Sequence, residues 1–309
     1  MPRLLRLPLV LGLLCVALVT AGCGSAPHQG RDTQPHPSTS AQVSASRAPH
    51  RTHRIHRTHR THRAERTPHR QRSAPGTVPP SWLGTRVLPH QPGGFGRIEP
   101  TPKVLRDRRF TLPDTVPMLP GHGFASRIER APARVLARST WRPACPVAAA
   151  DLDWVRLTFR GFDGSRHTGE LLVNRTAAAD LVRVFHRLWD LRFPLEQMQI
   201  TTKAEQTAPP TGDGNDTGAF NCRPVRGATI WSEHAYGLAV DVNPFQNPYI
   251  KGHLVLPELA SAYLDRSWHR PGMILPGGPV VRAFASIGWG WGGSWHSLKD
   301  LQHFSANGR

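Results

Sequence analysis

The sequence predicts an α+β domain, a small and mainly antiparallel sheet with flanking helices, preceded by a disordered N-terminal region. Three observations carry that expectation. Apolar and polar residues alternate on both sides of a turn signal between Val155 and Val173, apolar residues recur at helical spacing between Leu181 and Trp189, and composition changes sharply near residue 80. The hydrophobic share, 39% of 309 residues, is low for a chain that is globular throughout.

Residues 1–22 read as a secretory signal peptide. Met1-Pro-Arg-Leu-Leu-Arg leads into an uncharged apolar run from Leu7 to about Thr20, then the small residues Ala21 and Gly22. That run is shorter than the roughly 20 apolar residues a membrane-spanning helix needs. Thr20-Ala-Gly-Cys23 resembles the bacterial lipoprotein cleavage box, which implies a diacylglycerol on Cys23 and a chain anchored to the outer face of the cytoplasmic membrane.

Residues 23–80 read as a tether. Between Arg47 and Arg72 an Arg-Thr-His repeat supplies nine arginines against one acid, Glu65, with Ile55 as its single large aliphatic residue. Such a segment buries too little apolar area to offset chain entropy. The net charge of +18 is concentrated in the front of the chain: residues 1–143 hold 23 basic and 6 acidic side chains, residues 144–309 hold 16 and 15. The tether is suited to an anionic lipid surface or an anionic wall polymer, and export argues against nucleic acid. Its histidines, in a repeat without fixed geometry, read as solvated.

Residues 81–143 carry Pro, Gly and scattered apolar residues without clear periodicity, and read as a loosely structured lead-in. The domain proper is expected over 144–309. Val155, Leu157 and Phe159 alternate with Arg156, Thr158 and Arg160, Gly161-Phe-Asp-Gly164 turns the chain, and Gly169 to Val173 returns: a hairpin. A helix follows, with Asn174 or Thr176 as its cap and Pro194 as its stop. Further on come a strand near Met198 to Thr201, a long Pro/Gly loop, a strand from Leu238 to Val242, a short helix from Pro279 to Ile287 and a final strand from Leu301 to Phe304. Cys145 and Cys222 are the two body cysteines. An oxidising space permits them to pair, with two free thiols as the alternative.

Chemistry concentrates in Ser232-Glu-His-Ala-Tyr-Gly-Leu-Ala-Val-Asp241 and Asp300-Leu-Gln-His-Phe304. Two imidazoles and a carboxylate, His234, His303 and Asp241, make an open zinc site, because catalytic zinc takes three N or O ligands and leaves a fourth position for water. His234 and Asp241 share one site only if the chain turns between them, and Gly237 supplies that turn. His167, His253, His269 and His296 lack such a partner pattern. Trp289, Trp291 and Trp295 read equally as cleft lining or as core. No Ser-x-x-Lys nucleophile motif is present.

The pattern Ser-x-His-x-x-Gly-x-x-x-Asp followed by Asp-x-x-His-Phe resembles the zinc D-alanyl-D-alanine carboxypeptidase and L-alanyl-D-glutamate endopeptidase family, over roughly Cys145 to Ser305. The resemblance implies a Hedgehog/DD-peptidase-like fold, one Zn2+ on His234, Asp241 and His303, Asp300 as general base and peptidoglycan stem peptides as substrates. It also implies that Arg223 polarises the scissile carbonyl and that Ser232 lies near the substrate's amino end. Asp three residues before the final His is more like the endopeptidase branch. A non-catalytic wall-binding domain that keeps the fold is the alternative, and a monomer is expected.

Overall fold

The structure, a computed structural model, describes residues 74–309. The expected signal peptide, Cys23 and the expected tether up to residue 73 lie outside the described residues. Among the described residues no helix is long and apolar enough to cross a membrane.

A short ribbon comes first, β1 (His90–Gln91) against β2 (Phe95–Gly96). The largest sheet joins β3 (Ser126–Arg130), β4 (Leu152–Gly161) and β5 (Arg166–Asn174) in that order, antiparallel, with the short strand Pro194–Leu195 added in parallel to the end of β4. The hairpin expected from the alternation is β4–β5, with Leu157 opposite Gly169 and Gly164 turning the chain at φ +76°.

Helix α1 (Ala178–Asp190) packs against β4 and buries Leu181, Val184, Phe185, Leu188 and Trp189. Its cap differs from expectation. Ala177 holds the N-cap position without a side-chain bond, because Asn174 is spent on a tighter local turn, accepting from the Thr176 N–H at 3.1 Å and donating to the Tyr236 carbonyl at 3.1 Å. The strand expected over 198–201 is shorter and earlier: Gln197–Met198 pairs in parallel with Asp216–Thr217.

Two small sheets complete the framework. One is built from β6 (Ala239–Asp241), the other from β7 (Tyr249–Lys251) and β8 (Leu254–Leu256). Helix α2 (Pro279–Ala285) then leads to β9 (Gly290–Trp291), β10 (Lys299–Asp300) and β11 (His303–Ser305). Sheet order is β9-β11-β6 and β8-β7-β10, so the final strand expected over 301–304 begins two residues later, at His303, and a separate short strand, β10, precedes it in the other sheet. One core fills the space between α1, α2, β4, β5 and β6, with Val155, Leu171, Val173, Leu181, Phe185, Val240 and Phe304 inside it. Trp289 and Trp291 belong to this core, whereas Trp295 is half-buried.

The segment 81–143 is no loose lead-in, and no break falls at residue 144. β3 is an edge strand of the main sheet, and Leu88, Leu105 and Phe110 form a second core with Phe245, Leu259, Tyr263 and Met273. Arg108 is fully buried. Its guanidinium forks onto Glu196, Nε to Oε2 at 2.7 Å and Nη2 to Oε1 at 2.5 Å, and Nη1 donates to the Asp213 carbonyl at 2.7 Å. Burial pushes the Glu196 carboxyl up and the guanidinium pulls it back. Periodicity missed this segment because it is held by side chains and by backbone bonds to distant loops, such as Leu88 N–H to Pro210 O at 2.8 Å, rather than by a repeating pattern.

Cys145 and Cys222 are disulfide-bonded, with Cα atoms 5.8 Å apart. Closing a loop of 77 residues contributes ~4–5 kcal/mol in the chain-entropy account.

Candidate metal centre

His234 lies in a single 3-10 turn, Glu233–Tyr236, that ends at Gly237 with φ +70°. Only glycine fits there: a Cβ would stand 2.5 Å from the Asn174 backbone nitrogen. The left-handed residue returns the chain into β6, bringing Asp241 back beside His234 seven residues on. Asp241 in turn faces His303 directly across the β6–β11 pair. Val240 and Val242 point into the core, fully buried, leaving Asp241 as the partly exposed member of the strand.

Three side chains converge. Asp241 Oδ2 is 3.2 Å from His234 Nε2, Asp241 Oδ1 is 3.1 Å from His303 Nδ1, and the two nitrogens are 3.2 Å apart. Each ring is fixed from behind. His234 Nδ1–H donates to the Ala219 carbonyl at 2.5 Å, and His303 Nε2–H to the Arg309 carbonyl at 3.2 Å. With those tautomers both facing nitrogens are acceptors, like the carboxylate. Three acceptors this close need a positive centre. Four tetrahedral bonds of about 2 Å place ligand atoms ~3.3 Å apart, so the donor set fits zinc. Among the described residues these three side chains are the one convergent group of His, Cys, Asp and Glu. Asp241, hydrogen-bonded and charge-paired to His234 and His303, is held below the ordinary carboxylate range despite its burial, and the hydrogen bond to Asp241 raises His303 against desolvation.

Asp300, at the end of β10, is a different carboxylate. Its Oδ1 is buried with no hydrogen-bond partner, and burial, then the charge of Asp241, pushes its pKa up to about 7. Gly292 packs beneath it; a Cβ there would meet the Asp300 carbonyl at 2.6 Å, its Cβ at 2.8 Å and His303 Cβ at 3.3 Å. Sequence reasoning passed over Gly292, although it belongs to the Gly290-Trp-Gly-Gly run.

Arg223 follows the bridged Cys222; burial, then the like charge of Arg226, lowers its pKa against the opposing pull of Asp241 and Asp300. Ser232 N–H donates to the Arg223 carbonyl at 3.2 Å, so Ser232 pins the backbone that presents the guanidinium. The other histidines do not join. His167 is engaged by Asp114 at 2.8 Å and Asp163 at 3.2 Å, while His253, His269 and His296 are exposed. Tyr249 was also missed: it lies opposite Asp300 in the β7–β10 pair.

A family model described as D-alanyl-D-alanine carboxypeptidase matches residues 226–306. The matched span holds the three convergent side chains, Asp300 and Ser232; Arg223 lies just before it. Compared with the curated proteins and with the solved structures, the chain has no match. The family match supports a peptidase, hence a hydrolase, acting on cell-wall peptides.

Proposed function

We propose, from a chain whose residues 226–306 carry the signature of the D-alanyl-D-alanine carboxypeptidase family, zinc-dependent hydrolysis of an amide bond in peptidoglycan stem peptides. One observation carries this reading: three acceptor atoms spaced for a tetrahedral cation stand next to a buried carboxylate with an unpaired oxygen. His234, Asp241 and His303 would hold the ion, which when bound acidifies a water and polarises a carbonyl.

Asp300 takes the proton released as water adds to the amide carbon. It then passes that proton to the departing amine nitrogen as the C–N bond breaks. The Arg223 guanidinium, permanently charged, faces the oxygen on which negative charge grows. Ser232 borders the amino side of the peptide. A wall-binding module without turnover has no use for a desolvated, unpaired carboxylate, so Asp300 favours the enzyme. The same reading includes a Hedgehog/DD-peptidase-like architecture, a monomer, export with lipid attachment at Cys23, and a basic tether resting on anionic lipid or wall polymer.

The test is direct. The full chain is incubated with defined stem peptides, with zinc or with chelator, and products are identified by mass. Zinc restores cleavage after chelation; a zinc-loaded chain that cuts no stem peptide overturns the reading. Zinc binding is expected to be pH-dependent, with the sign set by His303. Its raised folded-state pKa means that the proton shared with Asp241 stabilises the metal-free protein below about pH 6.5 and is lost as pH rises through the folded value. Zinc must displace that proton, so affinity falls about tenfold per pH unit on the acid side. Titration calorimetry between about pH 5 and 8 reads this out.

A further inference from the structure

The acceptor behind His303 comes from an unusual distance along the chain. His303 Nε2 reaches the carbonyl of Arg309, six residues on, at 3.2 Å. An extended strand would by then have carried the backbone about 20 Å away, so the chain must fold back. Ser305-Ala-Asn-Gly-Arg309 does this. Gly308, at φ +72°, makes the reversal, and its N–H donates to the Ser305 carbonyl at 3.2 Å. Arg309 N–H donates to Asn307 Oδ1 at 2.8 Å, and the buried Ser305 hydroxyl donates to the Arg309 carbonyl at 2.8 Å. That one carbonyl therefore serves both Ser305 and the imidazole.

Trp295 holds the same turn from the other side. Its indole N–H donates to the Gly308 carbonyl at 2.7 Å, and its ring centre lies 5.4 Å from that of His303. Read from sequence as cleft lining or core, this half-buried side chain instead joins the turn to the imidazole. Gly290 of β9 lets the turn come close, since a Cβ there would stand 2.5 Å from the Gly308 Cα. His234 is gripped differently: its rear N–H bonds the carbonyl of Ala219, a residue of the main core.

We propose that Trp295 and Asn307, through the turn 305–309, are positioning residues for His303 that set how tightly the chain holds zinc. The Arg309 carbonyl keeps the ring proton on Nε2 and the Nδ1 lone pair aimed at Asp241 and His234, and a ring that swings away forfeits that bond. Residues 307–309 lie beyond the matched span 226–306, so part of the metal affinity is set outside the family signature. The inference rests on the zinc part of the hydrolase reading and adds to it residues that touch neither ion nor substrate.

The experiment compares the full wild-type chain with Trp295→Phe, which keeps an aromatic ring and removes the donor, and with Asn307→Ala at an exposed position. Zinc affinity is read by competition with a chromophoric chelator, and the ring N–H protons of His234 and His303 by NMR of the zinc-loaded, 15N-histidine-labelled chain. Trp295→Phe is expected to weaken zinc by about 10- to 100-fold and to speed solvent exchange of the His303 ring proton, with that of His234 unchanged. Asn307→Ala moves both readouts the same way by a smaller factor, and carries the test if Trp295→Phe does not fold. Wild-type affinity in both variants overturns the inference. So does a joint loss of both ring protons with a lower unfolding midpoint of the zinc-free chain, which would make Trp295 a packing residue. A wild type that binds no zinc sinks the zinc reading and this inference with it, whereas equal zinc binding by wild type and variants sinks the inference alone.

Discussion

Asp300→Asn is expected to lower kcat by about 10²–10⁴-fold while zinc content stays at one ion per chain. The substitution keeps the shape of the side chain and removes its capacity to accept a proton. The three ligand side chains are other residues, and Gly292 leaves the backbone under Asp300 where it is, so the metal set is not disturbed. The variant is also expected to be no less stable than the wild type. A carboxyl whose pKa is raised to about 7 by burial costs the folded, zinc-free protein stability as pH climbs from the ordinary carboxylate range through that value, and an amide carries no such penalty. Steady-state kinetics, metal analysis and urea unfolding above neutral pH check the three parts. A variant that loses zinc in parallel with activity would give Asp300 a structural role instead.

Arg108→Met is expected to destabilise the chain by about 3–5 kcal/mol, because it strips a buried carboxylate of its only guanidinium. Glu196 is wholly buried and keeps just the Asn215 amide, which donates to Oε2 at 2.7 Å. Arg108 also stacks on Phe245, 4.5 Å from its ring centre, and its peptide N–H donates to the Tyr263 hydroxyl at 2.9 Å. The pair is costly to break and cheap to replace: Arg108→Met with Glu196→Met is expected to recover most of the loss. Equilibrium urea unfolding of the two variants decides. Equal destabilisation by the single and the double variant would mean that packing, not the unpaired charge, sets the cost.

Much of the site was legible because its constraints are local. The alternation that turns Val240 and Val242 inward also fixes the side on which Asp241 emerges, and the need for His234 to return to it made Gly237 a turn on sequence grounds alone. The β4–β5 hairpin and α1 were legible for the same reason, since their periods are written in consecutive residues. What escaped is long-range. Nothing near Gly292 in the chain says that Asp300 and His303 will lie against it, and nothing in Pro- and Gly-rich residues 81–143 announces a buried arginine whose partner is 88 residues away. The cap of α1 escaped for a smaller reason: two eligible side chains stood before the helix, and a competing turn consumed both, the Thr176 hydroxyl donating to Asn174 Oδ1 at 2.8 Å.

Arg226 lies over Phe95 of β2, its guanidinium 5.2 Å from the ring centre, and that brace sets a limit on modularity. A graft cut at 226–306 would carry the ligands yet leave behind the ribbon under Arg226, the bridged cysteine that steadies residue 223 and the β4–β5 scaffold on which Gly237 rests. The span 226–306 is therefore not a self-sufficient piece of this fold.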